Sequence, residues 1–589
     1  MDRNAFGVFA CAVWAYVIAR AMLVPPVHDE CASLLWFVRS GDWLPYLAHW
    51  DANDHYLSSG IGLLSTRTFG ESLIALRVGS VLAFACYAWA TWRISANMSA
   101  RLARACLCAA LLLCPFLLDF FSLFRGYAIE MAGWLLALDG LLRYAATSAT
   151  RQLVQVLIGI LLASCSIVAL LPASSLLLLL VVVLMWRAHR TLPARTLGAQ
   201  VALLAFGGVL PLFGLSQVAF ELKERGLLYH GSTDGFFEVT VMSLCRYVSG
   251  TSSVVVGYVV VAVLLLSGVL AVREVVRTRS LEHPLALINA LLWGDVALRV
   301  LLARAFGVNY PEDRASLHFI PLALLSLAFA VNGLAQARPR VTWAATALLL
   351  LPTRSMWTAN LDHTAAWPEQ SVPVRFIDRV AAASVAAHRP LLVGAQHQLA
   401  LAWPMGAWLS GHQPGPLQTE GFPDGPHDMR IVDRRFLREA SAGYHAVDSA
   451  AGPGLWLLER DRSLDVRAED VLRAVERSTR EEFAELAHLP DSLLRSGSVL
   501  VQVNVPLIIP SRSPDVRLVL EVNDAEGGKL FYDAVAPLAL RPDWVGYPMR
   551  WTWGLPAMPR ARRAVVYLYN PGRCVVSHGE ARIRLGTIR

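Results

Sequence analysis

The chain has 589 residues, is 55% hydrophobic with a mean hydropathy of +0.47, and carries a formal charge of +7. This composition excludes an ordinary soluble globular protein, because apolar runs of bilayer length recur through the first 360 or so positions. Lys223 and Lys529 are the only lysines, and the arginines are spread through short loops; that spread is the mark of membrane topology rather than of a nucleic-acid face.

The first apolar run, Ala5 to Pro25, is too long for a signal-peptide core and is followed by Pro25-Pro26-Val27-His28 rather than a small-residue cleavage site. It reads as a retained helix. Window hydropathy then places about eleven spans, near 5–25, 73–94, 102–121, 125–146, 152–169, 171–187, 198–222, 251–273, 284–306, 315–335 and 340–358. The stretch 152–187 is read as two short helices turning at Leu171-Pro172-Ala173-Ser174. A single bent helix would put the Arg187, Arg190 and Arg195 group on the wrong side.

Every second connection is rich in arginine: Arg93, Arg101 and Arg104; Arg143 and Arg151; Arg187 to Arg195; Arg273, Arg277 and Arg279; Arg338 and Arg340. By the positive-inside rule the N-terminus is cytoplasmic. The loops 26–72, 120–126, 223–250 and 307–314, and the chain beyond 358, then face outward. In a bacterium this describes a multi-pass inner-membrane protein with a periplasmic or extracellular C-terminal region.

Past residue 360 the apolar runs stop. Arg375 to Ala387 reads as an amphipathic helix, Pro390 to Gly394 as a short strand, and the charged stretch Asp465 to Leu486 as helix-prone. From about 491, short β runs alternate with turns: Val499–Val505, Val516–Val522, Leu530–Val535, Met549–Trp553, Ala564–Tyr569 and Ala581–Leu585. The chain thus divides into a membrane domain (1–358), a mixed α/β segment (359–490) and a β-sandwich (491–589) of carbohydrate-binding appearance. Trp544, Tyr547, Trp551, Trp553, Tyr567 and Tyr569 crowd the last module, as sandwich core or as a sugar-stacking face; Trp551 and Trp553 share strand parity. Cys31, Cys245 and Cys574 fall in or near outer segments, but no spacing demands a disulfide.

The acidic residues of the first outer loop carry the strongest functional signal. His28-Asp29-Glu30 and Asp51-Ala52-Asn53-Asp54-His55 gather four carboxylates and two imidazoles where a span meets water, and charge is costly there unless paired or used. Asp29 or Glu30 stands at a helix N-terminus, where simple capping would account for one acid but not for both. A second amphipathic stretch, His55 to Phe69, ends at Gly70.

Three features in order resemble the GT-C superfamily of membrane glycosyltransferases, the polyprenol-phosphate-sugar enzymes that include protein mannosyltransferases and the lipid A aminoarabinose transferase. They are the acidic pair Asp29-Glu30, the loop from Asp51 through Phe69-Gly70-Glu71-Ser72 into Ala75-Leu76-Arg77, and the segment Asp119 to Ala128 with Arg125-Gly126-Tyr127. Tyr310-Pro311-Glu312-Asp313-Arg314 before Phe319-Ile320-Pro321 is a fainter likeness. The resemblance covers about residues 1–335, and departs from the family's pattern at Asp54 and at Gly126, where Pro is usual.

It implies a multi-pass GT-C-like fold and inverting transfer of a hexosyl or pentosyl group from a polyprenyl phosphate to an envelope glycan, lipid or protein. Asp29 is then the catalytic base with Glu30 as substitute. His28, Asp51, Asn53, Asp54, His55, Asp119, Arg125, Tyr127 and Arg314 are the substrate-binding candidates. Arginine suits the departing phosphate because its fork makes paired hydrogen bonds. Such transfer needs no nucleotide, and no cofactor is marked out with certainty; a divalent metal, if used, would draw on Asp29, Glu30 and Asp51. A secondary transporter, or a polymerase or ligase with a pyrophosphate-linked donor, is the alternative. Glu130, Asp139 and Asp295 lie inside spans and read as structural pairs.

Overall fold

The computed structural model describes residues 2–228, 230–387, 390–412, 417–508, 516–536 and 548–588. It divides into two compact units: Met1–Met22 with Trp43–Leu361, and Leu23–Asp42 with Asp362–Arg589. The first outer loop is therefore shared. His28, Asp29 and Glu30 belong to the second unit, and the Asp51 to His55 stretch to the first.

The first unit is helical. Seven described helices are long and apolar enough to cross a membrane: Arg3–Leu23, Leu73–Ser95, Val168–Ala188, Ala194–Glu224, Val254–Thr278, Pro284–Phe306 and Phe319–Ala337. An eighth is a pair, Arg101–Leu112 and Pro115–Phe121, bent by 52°. The bend has a covalent cause: Pro115 lacks an N–H, and its ring drives Cys114 into the extended region. Helix Tyr127–Thr147 has span length but carries Glu130, Asp139 and Arg143. The last predicted span is a 3-10 stretch, Pro339–Leu349, followed by a short helix, Leu350–Trp357.

The 152–187 stretch is two helices, Thr150–Ser164 and Leu171–Ala188. The break lies at residues 165–170, earlier than the predicted Leu171-Pro172 turn. Pro172 is instead accommodated in the first turn of the second helix, where no N–H is needed. Helices Tyr127–Thr147 and Thr150–Ser164 approach at backbone distance. A Cβ on Gly133 would stand 2.7 Å from the Gly159 carbonyl oxygen, and one on Gly159 2.5 Å from the Ala137 nitrogen. Small residues permit this contact, as in membrane helix pairs generally.

The second unit is built on strands. β1 (Val393–Ala395), β2 (Leu417–Gln418), β3 (Met429–Asp433), β4 (Tyr444–Ala450) and β5 (Leu455–Arg460) form a sheet in the order β2-β1-β3-β5-β4, with β1 parallel to β2 and β3. The predicted helix appears as Val374–Ala386, whose Phe376, Ile377 and Val380 pack into this layer's core.

Ten further strands make the sandwich. They are β6 (Val466–Ala474), β7 (Arg477–Thr479), β8 (Phe483–His488), β9 (Ser498–Ile508), β10 (Arg517–Asn523), β11 (Lys529–Val535), β12 (Pro548–Leu555), β13 (Arg563–Tyr569), β14 (Val576–His578) and β15 (Ala581–Ile588). One sheet runs β11-β10-β13-β8; the other runs β6-β15-β9-β14-β7, with β12 also on β9.

The helix expected over 465–486 is thus three strands, and the sandwich begins at Val466 rather than at 491. Charge density suggested helix, but Ala484 and Leu486 are buried while Phe483 and Glu485 face out. That period of two belongs to a strand, and pairing with β13 and β15 holds it.

Trp551 and Trp553 lie together in the sandwich core, whereas Tyr567 packs on the opposite side of its sheet with Val519 and Val565. Trp544 and Tyr547 lie outside the described residues. The segment 23–42 joins this unit through Leu35, which is part of the sandwich core. Cys245 and Cys574 form no disulfide.

Candidate functional site

In the second unit, Pro25-Pro26 ends the first helix and His28–Ser33 starts a new one. Glu30, 3% exposed, sits in its first turn and accepts a hydrogen bond from the Val27 N–H at 3.1 Å. It therefore satisfies a helix-end amide, as a capping acid does. Asp29 is half-buried beside it. The His28 backbone donates to Gln370 Oε1 at 3.1 Å, and its ring centroid lies 5.7 Å from that of His397. The two acids of the pair are thus unequal, with Glu30 committed to the backbone.

In the first unit, Asp51 Oδ1 accepts from the Asn53 N–H at 2.8 Å and the Asp51 carbonyl accepts from the Asp54 N–H at 3.1 Å. This aspartate turn delivers Asp54 into the protein, where it is 5% exposed. Asp54 Oδ1 accepts from the Ser59 hydroxyl at 3.0 Å, and Oδ2 has no hydrogen-bond partner. Burial raises its carboxyl to about 8; the Ser59 bond opposes the shift and the Asp51 charge adds to it. At neutral pH Asp54 is a protonated acid that can donate.

His55 follows, with Nδ1 2.9 Å from the Ser166 carbonyl oxygen. That contact places the proton on Nδ1 of the neutral ring and leaves Nε2 as an acceptor. The His55 and Tyr127 rings meet edge to face at 5.0 Å, and Arg125 lies 5.6 Å from the Tyr127 centroid on its other contact. Gly126 makes this packing feasible, because a Cβ there would stand 2.7 Å from the Ser166 oxygen and 2.8 Å from His55 Cβ. The departure from Pro at this position thus has a steric reason. Arg125 is buried, and its carbonyl and that of Leu123 accept from the Ser80 hydroxyl.

Asp119 is ion-paired with Arg20 at 2.6 Å, both buried, and Arg20 also donates to the Asn360 carbonyl at 2.7 Å. The sequence did not single out Arg20, and Asp119 carries a structural partner that its motif did not reveal. Arg314 lies 3.5 Å from His230 Nε2 on another loop. Its neighbour Asp313 is pushed up to about 6, by burial first and by Glu312 next. The structure thus gathers His55, Tyr127 and Arg125 into one contact chain, with Asp54 adjacent to His55 in the sequence and bonded to Ser59; Asp119 meets Arg20, and Arg314 meets His230.

Ionisable groups deeper in the helices divide in two. Asp139 is paired with Arg93, Arg143 and Gln155, and Asp295 with Arg299 at 3.1 Å and His318 at 2.8 Å. Those are the structural pairs expected. Glu130 is different: it is fully buried and neither carboxyl oxygen has a hydrogen-bond partner. The sequence reading of Glu130 as one of the structural pairs is thus not met by a hydrogen-bond partner. Among the described residues no group of three or more His, Cys, Asp or Glu is placed to hold a metal ion.

No family model matches the chain, and no curated protein matches it. Among solved structures it is similar to ArnT from Cupriavidus metallidurans, in crystal structures of the apo state and of the complex with undecaprenyl phosphate. Identity is 15%, coverage is 77% of this chain and 97% of that one, and the TM-score is 0.44. Arabinosyltransferase EmbB from Mycobacterium smegmatis is similar at 11% identity over 100% of this chain and 64% of that one, with a TM-score of 0.37. The Archaeoglobus fulgidus oligosaccharyltransferase, in complex with Zn and sulfate, is similar at 9% identity over 94% of each chain, also with a TM-score of 0.37.

Proposed function

We propose that the chain is an integral membrane glycosyltransferase that moves a sugar from a polyprenyl-phosphate donor to an extracytoplasmic glycan, lipid or protein acceptor. One observation carries the reading: an imidazole, a tyrosine and a buried arginine, His55, Tyr127 and Arg125, meet at a helix end, with the buried acid Asp54 next to His55 in the chain. A lipid-borne phosphate ester needs such a site. The donor's phosphate requires a cation near the bilayer boundary, and its sugar requires hydrogen-bonding groups beside it.

In this mechanism Asp29 takes the proton of the acceptor hydroxyl. The acceptor oxygen attacks the anomeric carbon from the face opposite the leaving group, so the configuration inverts. The bond from the anomeric carbon to the phosphate oxygen breaks, and polyprenyl phosphate leaves with the electron pair. Arg125, with Arg314 as a second cation, stabilises the phosphate; Asp54 donates to a sugar hydroxyl, His55 and Asn53 line the sugar, and Asp51 holds the turn. Glu30 orients the Asp29 helix. ArnT was crystallised with undecaprenyl phosphate.

The test is reconstitution in liposomes with a panel of polyprenyl-phosphate sugars, following released polyprenyl phosphate. Release is expected, and Asp29→Asn is expected to abolish it. Full turnover in the Asp29→Asn, Glu30→Gln double variant would remove the catalytic assignment. A coupled transporter is the second reading, favoured by the buried Glu130 and the Asp295–Arg299–His318 cluster. Ion-coupled sugar flux in proteoliposomes without any lipid-linked donor would support it.

A further inference from the structure

The outward face of the sheet β11-β10-β13-β8 carries a second apolar cluster, separate from the sandwich core. Val519, Val565 and Tyr567 form its floor, with Tyr532, Ala534 and Tyr569 packed against them. Cross-strand register sets Tyr569 opposite Phe483 and Tyr567 opposite Glu485. The Phe483 ring lies 5.9 Å from that of Tyr567 and 5.3 Å from that of Tyr569, yet Phe483 is 55% exposed. An exposed ring flanked by two tyrosines on a sheet face offers a ligand an aromatic platform.

Beside this ladder is a hollow of about 180 Å³ lined by Phe483, Glu485, Glu521, Asn523, Arg563, Val565 and Tyr567. Glu521 accepts from the Tyr567 hydroxyl at 2.9 Å and from the Asn523 amide at 2.8 Å. Glu485 accepts from Arg563 at 3.2 Å and faces His488 at 3.2 Å. The Asn523 amide oxygen is buried and has no hydrogen-bond partner. The hollow is therefore rich in acceptors, with two carboxylates and an amide oxygen against one arginine.

Its chemistry selects the occupant. Its two carboxylates balance Arg563 and Lys529, so the hollow has no net positive charge to hold phosphate or nucleic acid. A β-strand peptide would bind a sheet edge rather than this face. A sugar ring meets both requirements, because its C–H face packs on aromatic rings while its hydroxyls donate to fixed acceptors. We propose that this face is a glycan-binding site for a neutral or amino sugar, with Phe483 and Tyr569 as the platform and Glu485, Glu521 and Asn523 as hydroxyl acceptors. The site extends the reading above by naming the acceptor class as glycan, and it uses none of the residues assigned to transfer.

The test uses the full chain in nanodiscs. Saturation-transfer NMR is run with α- and β-linked neutral trisaccharides, chitotriose and trigalacturonate. Saturable binding of at least one neutral or amino oligosaccharide is expected, with Kd on the order of 1 mM, and none of trigalacturonate. Phe483→Ala is expected to weaken binding about three- to tenfold, the loss of one aromatic contact. Glu485→Gln, also at an exposed position, is expected to weaken it as well. Phe436→Ala, at an exposed ring elsewhere in this unit, should leave it unchanged. Absence of saturable binding across the neutral and amino panel, or binding untouched by both site variants, overturns the proposal. Glycan binding by the unsubstituted chain without lipid-phosphate release from any donor of the panel keeps this site and rejects only the transfer reading, whereas release without glycan binding rejects only this site.

Discussion

Asp54 is the residue whose chemistry most departs from its sequence appearance. Its carboxyl titrates near 8 in the folded chain and near 3.8 when exposed. Between those values the folded state holds the extra proton, so stability falls as pH rises through that window and levels off above it. Asp54→Asn is expected to flatten this slope, read as thermal midpoints in detergent from about pH 5 to about pH 8. An unchanged slope would show that Asp54 is solvated. Gly126→Ala forces a methyl against the Ser166 carbonyl and His55. Overpacking of this kind costs about 1–3 kcal/mol, so the variant should melt lower and lose polyprenyl-phosphate release. Neither effect follows from sequence alone, because Asp54 looks like a loop acid until Ser59 and its burial are seen, and Ser166 lies in another connection.

At the level of elements, helix Arg3–Leu23 is tied to the bent pair by the Arg20–Asp119 bridge. Removing one partner of a buried pair leaves an uncompensated charge and costs about 3–5 kcal/mol. Arg20→Met and Asp119→Leu singly should each lower the thermal midpoint strongly, while the double variant should recover most of it. Additive losses would deny the coupling. Glu130 gives the opposite expectation. Its carboxyl is buried without a hydrogen bond, so Glu130→Leu should leave the midpoint level or higher. If the variant stays folded but loses ion-coupled flux, the second functional reading gains its central residue.

For the molecule as a whole, Trp553 anchors the sandwich: it is fully buried and its Nε1 donates to Asp533 at 2.8 Å. Trp553→Ala is expected to cost about 3–5 kcal/mol and to expose β9 and β12 to protease in limited digests. Seven of the eleven expected spans, the helix ending at Gly70 and the six late strands were legible in the sequence, because periodicity and length are local properties that burial enforces. The fate of Asp465 to Leu486 was not, since its charges favour helix locally and only pairing with β13 and β15 makes it sheet. The sequence by itself determined a multi-pass helical chain with a β-rich C-terminal region and an acidic first loop. Only the tertiary structure decided that this loop divides between two units, that Asp119 has a partner in Arg20, and which aromatics of the sandwich face water. Each of these depends on contacts between residues far apart in the chain, which no local pattern encodes.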